Sequence, residues 1–278
     1  LFFLRPRGQP LSLVKALRDL PDWRTVDLWF RKLRHDRRSA TLLRAVADDL
    51  LAHLHLAHAA HVEALRRLEY RGYDSAGLAT LEAGHLVRRR AAGKLKNLEQ
   101  KLHEEPLIGT IGIGHTRWAT HGEPNDRNAH PHISQSGDLA IIHNGIIENY
   151  ASIKEELTKR GYTFRTDTDT EVLINLIEEV QKKENTTLDN AVRIALNQVV
   201  GAYAIVILNK NNPDQLIAAR KGSPMVLGIG SDEIFVASDA SPIIEYTQNV
   251  VYLEEQEYAV INRNGSYTIR TLGNVEKS

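Results

Sequence analysis

Apolar positions fall into two rhythms along the chain. Leu13, Val14, Leu17 and Leu20 recur at helical spacing, as do Leu42, Leu43, Val46, Leu50, Leu51 and Leu54, and Pro21 breaks the chain between them. After residue 60 a helix through Val62, Leu65 and Leu68 leads to Arg71-Gly72. Apolar runs at 77–81 and 86–90, joined by a glycine-containing turn, predict a hairpin. A Lys/Leu/Glu-rich helix follows over 94–104, then buried strands over 110–114 and 138–143, then helices over 150–160, 169–183 and 188–199. The middle helix of these three opens with Thr168-Asp169-Thr170-Glu171, a capping-box spacing that puts Asp169 at a helix N-terminus. From residue 202 the pattern is strand: 202–209, 216–219, 226–229, 234–237, and a final pair at 258–261 and 267–271 around an Asn264-Gly265 turn. Antiparallel-looking strands with helices grouped between them predict a layered α+β fold.

Composition changes this picture at one place. The 278 residues carry 35 Lys/Arg against 35 Asp/Glu, so no net field recruits nucleic acid or an anionic membrane. The balance hides a seam near residue 60. Residues 1–60 hold eleven Lys/Arg and six Asp, a net of +5, leaving −5 for the remainder, and they contain no Glu, Ile, Asn or Tyr. The chain begins at Leu1, and its one methionine is Met225, which suggests a fragment or processed product. No apolar stretch is long enough to span a bilayer, and Leu1-Phe2-Phe3-Leu4 is cut off by Arg5 and Arg7 before it could form a signal-peptide core, so the cytoplasm is the expected compartment. The absence of cysteine excludes disulfides, thiolate metal sites and a cysteine nucleophile.

Four polar clusters carry the candidate chemistry: EYRGYDSAG at 69–77, GHTRWATHGEP at 114–124, HNGIIEN at 143–149 and TDTDTEV at 166–172. Each has a plain reading when taken alone. Asn144-Gly145 could be a type I′ turn, Asp169 a helix cap, and Arg117 half of a surface ion pair. The histidines offer a metal site, with His53, His55, His58 and His61 in the opening segment and His115, His121, His130, His132 and His143 further on. The first group does not share one helical face, and His-Pro-His at 130–132 lacks an HExxH-type spacing. No metal and no cofactor is therefore expected.

Together the four clusters resemble the glutaminase domain of the isomerising glutamine–fructose-6-phosphate aminotransferases, within the class II glutamine amidotransferases, from about residue 61 to the C-terminus. The resemblance implies a four-layer αββα sandwich of the N-terminal-nucleophile hydrolase type over 61–278, preceded by an unrelated helical, basic segment over 1–60. It implies L-glutamine as substrate, with Arg117 on the α-carboxylate and Asp169 on the α-ammonium group. Thr120 and His121 belong to the same binding loop, and Trp118 helps to close the site. Asn144 and Gly145 match the oxyanion hole, and Arg71 helps to organise the nucleophile's end of the site. Family members form homodimers and pass the released ammonia to a sugar isomerase domain, which makes glucosamine 6-phosphate from fructose 6-phosphate. That domain is expected to be absent here, because the chain stops at Ser278.

One departure matters. The family begins with a Cys-Gly-Ile-Val-Gly strand about two dozen residues before the first cluster, and the corresponding stretch here reads Val46-Ala47-Asp48-Asp49-Leu50. Neither Ser39 nor Thr41 is a convincing substitute nucleophile. The chain is expected to be inactive alone, and the missing strand to leave its neighbour in the sheet unpaired. A frameshifted or misassembled 5′ coding region, or a replaced segment, accounts for the composition of residues 1–60. A non-catalytic glutamine-binding module and a defective fragment are the alternatives.

Overall fold

The computed structural model describes residues 2–4, 61–109, 111–231 and 233–277. The helices predicted over 13–20 and 42–54, and His53, His55 and His58, lie outside these residues. Two seven-stranded antiparallel sheets dominate the remainder. The first contains β1 (Phe2–Leu4), β2 (Ser75–Glu82), β3 (His85–Ala92), β4 (Ile111–Arg117), β9 (Val226–Ile229), β10 (Ile234–Ala237) and β11 (Val250–Tyr252), in the order β11-β9-β10-β1-β4-β2-β3. The second contains β5 (His132–Ile133), β6 (Leu139–Ile147), β7 (Gly201–Asn209), β8 (Gln215–Lys221), β12 (Glu257–Asn262), β13 (Tyr267–Thr271) and β14 (Glu276–Lys277), in the order β14-β13-β12-β8-β7-β6-β5.

The near-continuous apolar runs are explained by burial of both faces of each sheet. Along β6, Leu139 and Ile141 face one core while Ala140 and Ile142 face another, and along β7 Ile205 and Ile207 separate in the same way from Ala204, Val206 and Leu208. The inner set meets Ile111, Ile113, Leu227 and Val236 of the first sheet. The outer set packs under α3 (Tyr150–Lys159), α4 (Asp169–Glu184) and α5 (Leu188–Leu196). On the opposite side α1 (61–68) and α2 (Leu95–Glu104) cover the first sheet through Leu65, Leu95, Leu98 and Leu102. The result is the four-layer αββα sandwich.

Three features depart from the sequence pattern. Asn144 and Gly145 lie inside β6, in register with Ala204 and Tyr203 of β7, and make no hairpin turn. The capping box is half formed: Thr168 Oγ1 accepts from the Glu171 amide, while the Glu171 carboxylate accepts from the Arg165 and Thr166 amides. Lastly, Phe2–Leu4 is a strand, with Phe2 opposite both Ile113 and Val236, whereas the sequence pattern predicts a helical opening segment and a gap in the sheet. A short run of β-favouring residues placed between two open strand edges satisfies their backbone groups whatever its origin.

Candidate functional site

Strand alternation aims two polar ends into one place. Ile111 and Ile113 of β4 point into the space between the sheets, so His115 and Arg117 follow on the same face. Ala140 and Ile142 do so on β6, and Asn144 continues that row. His115 Nε2 and Asn144 Oδ1 meet at 2.8 Å, joining one sheet to the other. Around this bond lies a cavity of about 240 Å³ whose lining includes Arg117, Trp118, Thr120, His121, Asn144, Gly145 and Asp169. Residues from three of the four clusters thus converge. From the first cluster, Arg71 ends the 3-10 turn Glu69–Arg71, and its side chain lies outside the described atoms.

Arg117 is 3 % exposed. Its guanidinium donates to the backbone carbonyls of His121, Gly122 and Glu123 and faces Asp74 at 3.9 Å. Burial pushes its pKa down while the Asp74 and Asp169 carboxylates pull it up, and it remains a cation. Asp74, which pattern reading did not single out, also accepts from the Ala119 amide and the Ser75 hydroxyl. It therefore ties the first cluster to the loop after β4. Gly72 permits this approach, because a Cβ there would sit 2.6 Å from the Arg117 carbonyl carbon. Trp118 stands at the mouth, 61 % exposed and edge-on to Tyr73.

Asp169 opens α4 and is 3 % exposed. Its Oδ2 accepts from the Ile147 amide at 2.8 Å, which fixes the carboxylate against the end of β6, and the positive end of the helix dipole favours its charge. Gly145 has φ +128°, and a Cβ on it would lie 2.1 Å from the Ala202 carbonyl oxygen. Only glycine lets the strand pass there.

Behind these residues the histidines form a neutral layer. Thr170 Oγ1 is 3.0 Å from both His130 Nε2 and His143 Nδ1, and Thr168 Oγ1 is 3.3 Å from His132 Nε2. His115 stacks on His130 at 4.3 Å, and His130 meets His132 at 4.7 Å. Burial pushes His115 down to about 3, puts His130 and His132 well below the ordinary histidine range, and lowers His143 against the pull of Asp169. Among the described residues no group of three His, Cys, Asp or Glu side chains is placed to hold a metal ion.

A buried cation, a buried carboxylate and a side-chain amide lining one cavity suit a zwitterion carrying a polar side chain. Residues 100–268 match the family model described as a glutamine amidotransferase domain. The chain is 55 % identical over 216 residues to the glutamine–fructose-6-phosphate aminotransferase [isomerizing] of Bacteroides thetaiotaomicron, and 52 % identical over 217 residues to that of Chlorobaculum tepidum. In each comparison 77 % of this chain is covered, and the chain spans only 35 % of the relative's length. Among solved structures, the glutamine phosphoribosylpyrophosphate amidotransferase of B. subtilis superposes with a TM-score of 0.65 at 27 % identity, over 77 % of this chain and 46 % of that one.

Proposed function

The chain belongs to the glutamine amidotransferase domain family, and on that premise we propose that it is the glutamine-binding part of an isomerising glutamine–fructose-6-phosphate aminotransferase, holding glutamine without hydrolysing it at a family-like rate. The observation that carries the reading is the pair of buried opposite charges, Arg117 and Asp169, lining one cavity. Arg117 receives the α-carboxylate through its buried charge and the N–H donors that the loop carbonyls leave free. Asp169 receives the α-ammonium group. Thr120 and His121 flank the amino-acid end, and Trp118 covers the mouth. The side-chain amide then faces Asn144 and the Gly145 N–H, which would stabilise the oxyanion of a tetrahedral intermediate. Arg71 serves the nucleophile's end.

The covalent route of the family starts with attack of a thiolate on the amide carbon, and the chain contains no cysteine. Binding and oxyanion donors alone leave residual catalysis. In a full-length relative, ammonia would pass to a sugar isomerase domain acting on fructose 6-phosphate, and the assembly would be a homodimer. Residues 61–278 form the glutamine-handling unit under this reading. The basic opening sixty residues are a segment of other origin that lends β1 to the sheet.

The test is calorimetry with L-glutamine, run beside an assay for released glutamate. Binding without turnover is expected. Turnover at the rate of a cysteine-containing relative would show that another residue attacks, and absence of binding would remove the proposal.

A further inference from the structure

His115 and Asn144 make the direct side-chain bond described above, from the facing strands β4 and β6 of the two sheets, at 2.8 Å. Two arrangements satisfy that distance. In one, His115 carries its proton on Nε2 and donates to Asn144 Oδ1, so the two amide hydrogens of Asn144 are left for the cavity. In the other, the amide is flipped and donates to a bare Nε2, so the proton sits on Nδ1 and the Asn144 oxygen faces the cavity.

Surroundings decide between them. His115 Nδ1 is buried and has no hydrogen-bond partner among the described residues, and the ring lies against His130 at 4.3 Å with an interplanar angle of 30°. A buried N–H with no acceptor is rarer and more costly than a buried lone pair with no donor. The imidazole is also neutral, because burial holds its pKa at about 3, so Nδ1 is not forced to carry a proton. The second arrangement would strand a donor at Nδ1, and the first strands only a lone pair.

We infer that His115 is a positioning residue: as the Nε2–H tautomer it clamps the Asn144 carbonyl oxygen and so turns the Asn144 amide donors toward the ligand. The inference deepens the proposed function, and it rests on the reading that Asn144 faces the glutamine side chain. It makes the site selective for negative charge beyond Arg117, since a flipped amide would present an acceptor to a developing oxyanion or a γ-carboxylate. Sequence pattern alone offered His115 only as a metal-ligand candidate.

Two measurements test it on the whole chain. The 15N shifts of the His115 ring should report protonated Nε2 and bare Nδ1, unchanged between pH 8 and about 5. A protonated Nδ1, or an imidazolium at neutral pH, overturns the inference. Calorimetry should then compare L-glutamate, whose γ-carboxylate imitates the oxyanion, with L-glutamine in the unsubstituted chain, His115→Phe and His115→Gln. A charge-assisted bond is worth roughly twice a neutral one, so His115→Phe should weaken glutamate about fivefold to tenfold more than glutamine. His115→Gln, whose amide N–H replaces Nε2–H, should restore the ratio. Equal weakening of both ligands marks His115 as structural only and overturns the inference. If the unsubstituted chain binds neither ligand, the proposed function falls, and the ring tautomer still decides the clamp by itself.

Discussion

The two walls of the cavity are built differently. Asp169, Asn144 and Gly145 sit on regular structure: the first residue of α4 and the interior of β6. Arg117 ends β4, and its donors are spent largely on the carbonyls of the irregular loop behind it. One wall is rigid because helix and sheet ladders fix it. The other is a charge gathering a loop around itself, braced by Asp74 and open at Trp118. Preorganisation of this kind suits Asn144 and Gly145, where an oxyanion would form, and lets Asp169 hold a cationic group without moving, while a loop suits the side through which a ligand enters.

Acid should separate the walls most. The histidine layer behind the rigid wall is held neutral, with pKa values below the unfolded value of about 6.5. The unfolded chain therefore takes up these protons first. The contribution is complete above about pH 6.5 and drains away as pH falls toward about 3, where His115 itself protonates. For His115 this amounts to about 1.4 kcal/mol per pH unit below about pH 6.5, and His130, His132 and His143 act in the same direction, so urea midpoints should fall from pH 7 to 5. A flat profile would mean that the layer is hydrated and charged.

Next in size is Asp169→Ala. Removing one partner of a buried charge contact costs about 2–5 kcal/mol, so glutamine affinity should drop by roughly 100-fold or more with the fold retained. An affinity within threefold of the unsubstituted chain would remove Asp169 from the ligand. Gly145→Ala attacks the rigid wall through its backbone. The positive φ and the 2.1 Å approach to Ala202 should cost about 3 kcal/mol in stability, read as a lowered urea midpoint, and an unchanged midpoint would mean that β6 shifts freely. Asp74→Asn touches only the loop wall. It keeps a hydrogen-bonding oxygen and loses a charge, so glutamine binding should weaken by about 1 kcal/mol with little change in stability. If Asp74→Asn matched Asp169→Ala, the contrast between the walls would disappear.

Helices and strands after residue 60 were legible because burial of both sheet faces leaves long apolar runs and the helices keep their 3.6-residue period. Strands β9, β10 and β13 match the predicted bounds. Shorter pieces such as β5 and β11 were not legible, since two or three residues carry no period. The site's residue types were legible as clusters. Their partners were not: Asp74 meets the loop after β4 across more than forty residues of chain, and Thr170 bridges His130 and His143 from a helix.

Strand alternation, the helix start at Asp169, the cluster residues and the lack of a thiol are written into the chain locally, because each is a property of a residue or of its near neighbours. That Asn144-Gly145 is strand rather than turn, that Phe2–Leu4 fills the sheet, and that His115 meets Asn144 across the sandwich emerge with the assembled fold. Those outcomes depend on which backbone groups find partners and which side chains lose water when two sheets close on one another, and no local window of sequence contains both sides of that closure.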